Sequence, residues 1–183
     1  MTNLSGLTRN FLTRLMLAAF LPCLYACPYS SRFSLDAEPQ LPIEDDFMGK
    51  WAVMIQTYDK SEIPVKLIID KYTDYEYQLV FVGDWHLMAP RRVPFTDSIK
   101  GTGFISQVGD KRFFNVKLKN EYYIAETFVK NGKLSLLPLR DHFTNKLIKK
   151  QTELRAELEW HYNYRIKPMY DESFCLKDME RVH

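Results

Sequence analysis

From Gly49 onward the apolar positions fall into short alternating runs separated by turn residues, the pattern of antiparallel strands. Residues 51–57 open the series. Val65, Leu67 and Ile69 alternate with Lys66 and Asp70, and Tyr75, Tyr77, Leu79 and Phe81 continue until Gly83-Asp84 breaks the run. Residues 101–108 form the next strand, Gly109-Asp110 turns it into 112–119, and Asn120 with Glu121 reverses the chain into 122–129. Asn131-Gly132 suits a type I′ hairpin, whose two central positions need positive φ, so 122–129 is expected to pair with 134–139. Seven or eight short strands joined mostly by tight turns predict a meander, and closure removes its exposed edges. The expected fold is a small antiparallel barrel. Residues 85–94 hold two prolines, which cannot donate to a central ladder, and are expected as a loop over the barrel mouth.

After Pro138 the pattern changes. Asp141 is placed to cap a helix over 142–150, and Thr152 a second helix running to about residue 165. Leu154, Leu158 and Tyr162 then share a face. Leu158, Trp160, Tyr162, Tyr164 and Ile166 also alternate as a strand would, but Arg155 with Glu159 and Glu157 with His161, both at i,i+4, favour the helix. Residues 174–182 have the length to add a last short strand. The fold class is mainly β with a helical C-terminal segment, and 183 residues suffice for one well-cored domain, here 47–183.

The first 27 residues follow a different logic. Residues 1–14 carry Arg9 and Arg14 and no acid, and 15–26 are uniformly apolar, as in the n-region and h-region of a signal peptide. Twelve residues in a helix span about 18 Å, short of a hydrocarbon core of roughly 30 Å, so a permanent membrane-spanning helix is the weaker reading. The stretch ends Leu24-Tyr25-Ala26-Cys27, which resembles the lipobox of bacterial lipoproteins. That resemblance implies a signal peptide over 1–26 and acylation at Cys27, the alternatives being ordinary cleavage near Ala26 or modification at Cys23. Residues 28–46, with three prolines and little periodicity, are expected as a tether. Cys175 is then left without a disulfide partner and reads as a small buried hydrophobe.

Processing also changes the charge. Of 25 basic side chains two lie in 1–26, leaving 23 against 23 acidic ones. A neutral domain lacks the field that drives nucleic-acid binding.

At Gly49-Lys50-Trp51, just before the first strand, the chain resembles the Gly-x-Trp signature of lipocalins and related calycins. The resemblance implies a barrel-end plug made by Gly49 and Trp51, with a C-terminal arginine, Arg140 or Arg155, packed on the Trp. It implies a ligand cavity or partner surface rather than catalysis.

No catalytic or metal-ligating constellation stands out. His86, His142, His161 and His183 are scattered, with no His-Glu-x-x-His, no paired Cys and no Gly-x-Ser-x-Gly. No cofactor is expected. The run Tyr72 to Tyr77 sets acids among aromatics, either a sugar-stacking platform or a solvated strand face. Lys146, Lys149 and Lys150 with Arg155 face either anionic headgroups or solvent. Three functions follow in descending order. The first is a barrel binding a small apolar or amphipathic ligand, with Leu67, Tyr77, Phe81, Phe104 and Tyr123 as lining, although such a barrel can equally be filled by its own side chains. The second is an accessory subunit of an envelope complex, docking through Trp85, His86, Leu87 and Met88. The third is an enzyme acting on envelope or carbohydrate substrates. The expected address is the cell envelope, lipid-anchored on the periplasmic or surface face of the outer membrane.

Overall fold

The structure, a computed structural model, describes residues 28–56, 62–83, 98–164 and 169–182. Within them the chain forms β1 (Ser30–Ser31), β2 (Gly49–Gln56), β3 (Glu62–Lys71), β4 (Tyr77–Val82), β5 (Ser98–Val108), β6 (Lys111–Leu118), β7 (Glu121–Lys130), β8 (Lys133–Pro138), helix α1 (Gln151–Asn163) and β9 (Leu176–Val182). Strands β2 to β8 pair antiparallel in chain order. Strand β9 then pairs with both β8 and β2, closing an eight-stranded barrel, while β1 adds to the outer end of β7. The tail is thus the eighth stave, laid down only after the helix has crossed the outside.

Local chemistry sets the registers. Asn131 (φ 53) and Gly132 (φ 72) both take the positive φ of a type I′ turn, and Val129 faces Leu134 as expected. Gly109 (φ 62) turns β5 into β6. The next reversal sits at Lys119 (φ 56) and Asn120, so Glu121 already belongs to β7, opposite Leu118. Tyr75 lies in a turn instead of a strand, because the Tyr72 and Thr73 N–H groups both donate to the Glu76 carbonyl and Thr73 Oγ1 accepts from Tyr75 and Glu76. Strand β4 therefore starts at Tyr77.

Period-two alternation fills the barrel. Trp51, Val65, Leu67, Ile69, Tyr77 and Leu79 share one buried cluster with Ile105, Phe114, Val116, Leu134 and Leu136. In β9 the alternation is broken once: Leu134 faces Met179 but Leu136 faces Leu176, one residue out of step, and Asp178 takes φ 54. This bulge turns Leu176 and Met179 to the same inner face although they are three residues apart.

A second cluster lies outside the wall of β5, β6 and β7, where Val108, Phe113 and Ile124 meet Leu154 and Leu158 of α1 and Leu35 from the N-terminal segment. Residues 28–46 are therefore not a tether. The Tyr29 N–H donates to the Leu139 carbonyl, β1 pairs with β7, and Leu35 is fully buried with its N–H on Asn115 Oδ1 at 2.7 Å. Apolar residues spaced among prolines and acids make this segment a strap across the barrel. Helix α1 confirms the helical reading of 158–163. It starts from Lys150 without a side-chain cap, so Thr152 lies inside it and is not its cap.

The helix expected over 142–150 is absent. So short a segment depends on tertiary contacts, and here those contacts favour an irregular path in which Thr144 Oγ1 and Lys146 Nζ both reach the buried Glu157 carboxylate. Burial pushes Glu157 up, but these two donors outweigh it and hold the carboxyl below its ordinary range.

Candidate binding site at the open end of the barrel

The two ends of the barrel differ. At the end where β2 begins, the strap turns inward at Phe47, whose ring meets Phe114 edge-on at 5.8 Å and Tyr77 at 6.5 Å. Trp51 is fully buried and donates from Nε1 to the Phe47 carbonyl at 2.9 Å. The Arg181 guanidinium lies 4.8 Å from the centroid of the Trp51 ring and donates to the Asp46 carbonyl at 3.1 Å. Gly49 takes φ 128, a conformation that disfavours side chains, and so brings the strap into β2 beside Arg181. Trp51 is thus buried at this end with Gly49 two residues before it, and the arginine on its ring is Arg181, neither Arg140 nor Arg155. Arg155 instead ties α1 to the strap through Asp36 at 2.7 Å and to β5 through the Gln107 carbonyl at 2.6 Å.

The opposite end is lined by a different set of side chains. Ile55, Phe81, Leu118 and Tyr123 all pack on the inner cluster yet are only partly buried. Residues 57–61 and 84–97, which join the strands here, lie outside the described residues, as do the mouth loop and the Trp85, His86, Leu87 and Met88 patch. Cys27 also lies outside them.

The five lining candidates separate accordingly. Leu67 sits fully buried at mid-barrel, and Phe81 and Tyr123 stand at the open end. Tyr77 belongs to the sealed end, where its hydroxyl accepts the Glu44 N–H at 2.7 Å; burial pushes its phenol up. Phe104 is not an interior residue. Its neighbours Gly103 and Ile105 face inward, so Phe104 shares the outer face with Ser106, whose hydroxyl accepts from Asn115. Ile55 and Leu118 were missed as lining, although their place in the alternating runs was sufficient to find them.

A separate cleft of about 300 Å³ lies at the sealed end, lined by Glu44, Asp46, Lys111, Arg112 and Glu126 among others. It is polar and its cations are already engaged: Arg112 with Glu44 at 2.5 Å, Lys111 with Glu126 at 3.0 Å. Behind it the buried Glu126 carboxylate also receives hydrogen bonds from the Tyr162 hydroxyl at 2.6 Å and from the Tyr170 hydroxyl. Burial, then the adjacent carboxylate, raises both phenols. The cluster bolts α1 and the segment after it to β7; it is a satisfied structural network. Burial likewise pushes the Cys175 thiol up to about 12, so it is no ready nucleophile. Among the described residues no three His, Cys, Asp or Glu side chains converge as metal ligands.

No protein-family model matches the chain, and no curated protein sequence matches it significantly. The solved structure of a de novo designed fluorescence-activating β-barrel is similar in part, at 13% identity, over 56% of this chain and 90% of that one, with a TM-score of 0.36. So distant a likeness adds nothing to the closed ring of strand pairs, which rests on its own registers.

Proposed function

We propose that this protein is a lipoprotein, acylated at Cys27 and held at a membrane of the cell envelope, whose barrel receives a small apolar or amphipathic ligand at its open end. The observation that carries the binding reading is the contrast between the two ends. Inward-facing Phe81, Tyr123, Ile55 and Leu118 are partly exposed at one, whereas Phe47, Trp51, Tyr77 and Phe114 are buried together at the other. Apolar side chains that line a concavity without closing it suit an apolar guest. The filled middle limits that guest to the outer part of the barrel. The anchoring reading rests on Leu24-Tyr25-Ala26-Cys27 after an apolar run.

Native mass spectrometry on the processed chain, isolated from its host's envelope fraction, tests both parts. The expected result is an acylated N-terminal cysteine and a reproducible small adduct, with the adduct lost in Phe81→Asp and Tyr123→Asp variants that still fold. An unmodified N-terminus overturns the anchor. A domain bare of any adduct after exposure to envelope lipids and growth medium overturns the ligand reading.

A further inference from the structure

Among the described residues the most exposed large apolar side chain is Leu147, at 79%, and Trp160 and Tyr164 are also exposed. Trp160 and Tyr164 belong to one surface, and the segment that carries Leu147 runs beside it. Trp160 and Tyr164 are one helical turn apart with rings 5.1 Å between centroids, and Lys146, beside Leu147 in the chain, holds its ammonium 5.9 Å from the Trp160 ring. Lys146 is paired with Glu157, but Lys149 and Lys150 are exposed and have no ionic partner among the described residues. Asp141 is the one acid of residues 140–150, against Arg140, Lys146, Lys149 and Lys150. The surface also lies where the chain enters the fold. Pro28, the residue after Cys27, bridges to Arg140, and the Tyr29 ring stands edge-on to Phe143 at 4.6 Å.

We infer that this face, built by Leu147, Trp160 and Tyr164 with Lys149 and Lys150, lies on an anionic lipid bilayer and fixes how the barrel is oriented on it. The inference rests on the anchored-lipoprotein reading and deepens it. Because the strap is bound to the barrel from Pro28 on, an acyl group on Cys27 holds this wall of the domain against the membrane. Exposed Trp and Tyr with an isolated Leu suit the headgroup boundary, where an aromatic body and a polar tip are both satisfied, and lysines add attraction to anionic lipid. Protein interfaces are depleted in lysine, which weighs against a protein partner for the same face.

The test places the processed full-length chain on vesicles of phosphatidylethanolamine with phosphatidylglycerol, and on phosphatidylcholine vesicles, each with brominated acyl chains. The Trp160 signal is isolated by comparison with Trp160→Phe. Expected is quenching of Trp160 on the anionic vesicles, weaker on neutral ones and reversed by high salt. Lys149→Ala and Lys150→Ala should each weaken this docking roughly fivefold, with thermal unfolding unchanged because both sites are exposed.

Mass spectrometry of the N-terminus separates the two readings. An acylated chain that sediments with both vesicle types while Trp160 stays unquenched overturns the docking face and leaves the anchor standing. Equal quenching on neutral vesicles, or in the lysine variants, overturns it as well, as does capture of an envelope protein by this face with no lipid contact. A non-acylated chain that still shows salt-sensitive Trp160 quenching upholds the face and removes the anchor.

Discussion

The Arg181 guanidinium caps the buried Trp51 ring from the far end of the chain, with 4.8 Å between its central carbon and the ring centroid. The contact joins the first and last staves of the barrel, since Trp51 and Arg181 are also register partners in the β2 and β9 pair. An exposed cation over an aromatic face contributes about 0.5–1 kcal/mol, and the hydrogen bond to the Asp46 carbonyl a similar amount.

Replacing Arg181 by Ala should therefore lower stability by about 1–2 kcal/mol. Lys should restore part of this, because it keeps the charge and loses the planar fork. Trp51→Ala should cost about 3–5 kcal/mol, the range for a large buried aromatic. Urea denaturation of the three variants checks the order. A neutral Arg181→Ala would mean that β9 closes the barrel through backbone pairing alone.

The strap hangs on Asn115. Its Oδ1 accepts the Leu35 N–H at 2.7 Å while its amide donates to the Phe104 carbonyl at 3.3 Å and the Ser106 hydroxyl at 2.8 Å, all without water access. Asn115→Leu strands the Leu35 N–H in an apolar site and should cost about 1–3 kcal/mol. Hydrogen exchange should rise locally, over residues 29–36, before global unfolding sets in. A uniform rise would show that strap and barrel open together.

The barrel was legible because strands such as β3, with Ile63, Val65, Leu67 and Ile69 buried at every second position, alternate, and because turns such as Asn131-Gly132 carry recognisable residues. The eighth stave was harder to read, since the bulge at Asp178 puts Leu176 and Met179 on one face at a spacing of three, which a period of two does not detect. The strap hid for a related reason. Leu35, Ile43 and Phe47 contact different parts of the barrel, so their spacing follows the curvature of the wall and not any local period. Phe104, expected among the lining, lies outside because the phase of its neighbours, with two glycines facing inward at 101 and 103, turns it away from the interior.

Alkaline pH should loosen the helix from the barrel. Tyr162 and Tyr170 ionise near 10 in the unfolded chain and higher in the fold, because burial and then the Glu126 carboxylate oppose a second negative charge. Their contribution is complete below about pH 10 and is lost as pH rises from there toward the folded values. The wild type should lose stability steeply above about pH 10, and Tyr162→Phe/Tyr170→Phe less steeply, while being weaker at neutral pH by about 1–3 kcal/mol for the hydrogen bonds removed. Denaturation curves across that range, with tyrosinate absorbance as a second probe, separate the two effects. Parallel slopes would mean that other groups govern alkaline unfolding.

Two glycines in β5 let the barrel wall coil tightly against β6. A Cβ at position 101 would stand 2.5 Å from the Lys117 carbonyl oxygen and 2.6 Å from Leu118 Cδ2; at position 103 it would stand 2.8 Å from the Asn115 carbonyl oxygen and 3.0 Å from Leu79 Cδ1. Backbone cannot yield as a flexible side chain does, so each Ala substitution has to push β5 and β6 apart at a cost of about 1–3 kcal/mol. Gly101→Ala should be the worse, since both of its obstructions are closer. It also lies toward the open end, where Leu118 is one of the partly covered side chains, so displacing Leu118 should weaken ligand retention as well as stability. Gly103→Ala acts through Asn115 and should instead raise hydrogen exchange in the strap. If both variants match the wild type in denaturation and exchange, the close approach of β5 to β6 is not what shapes the wall.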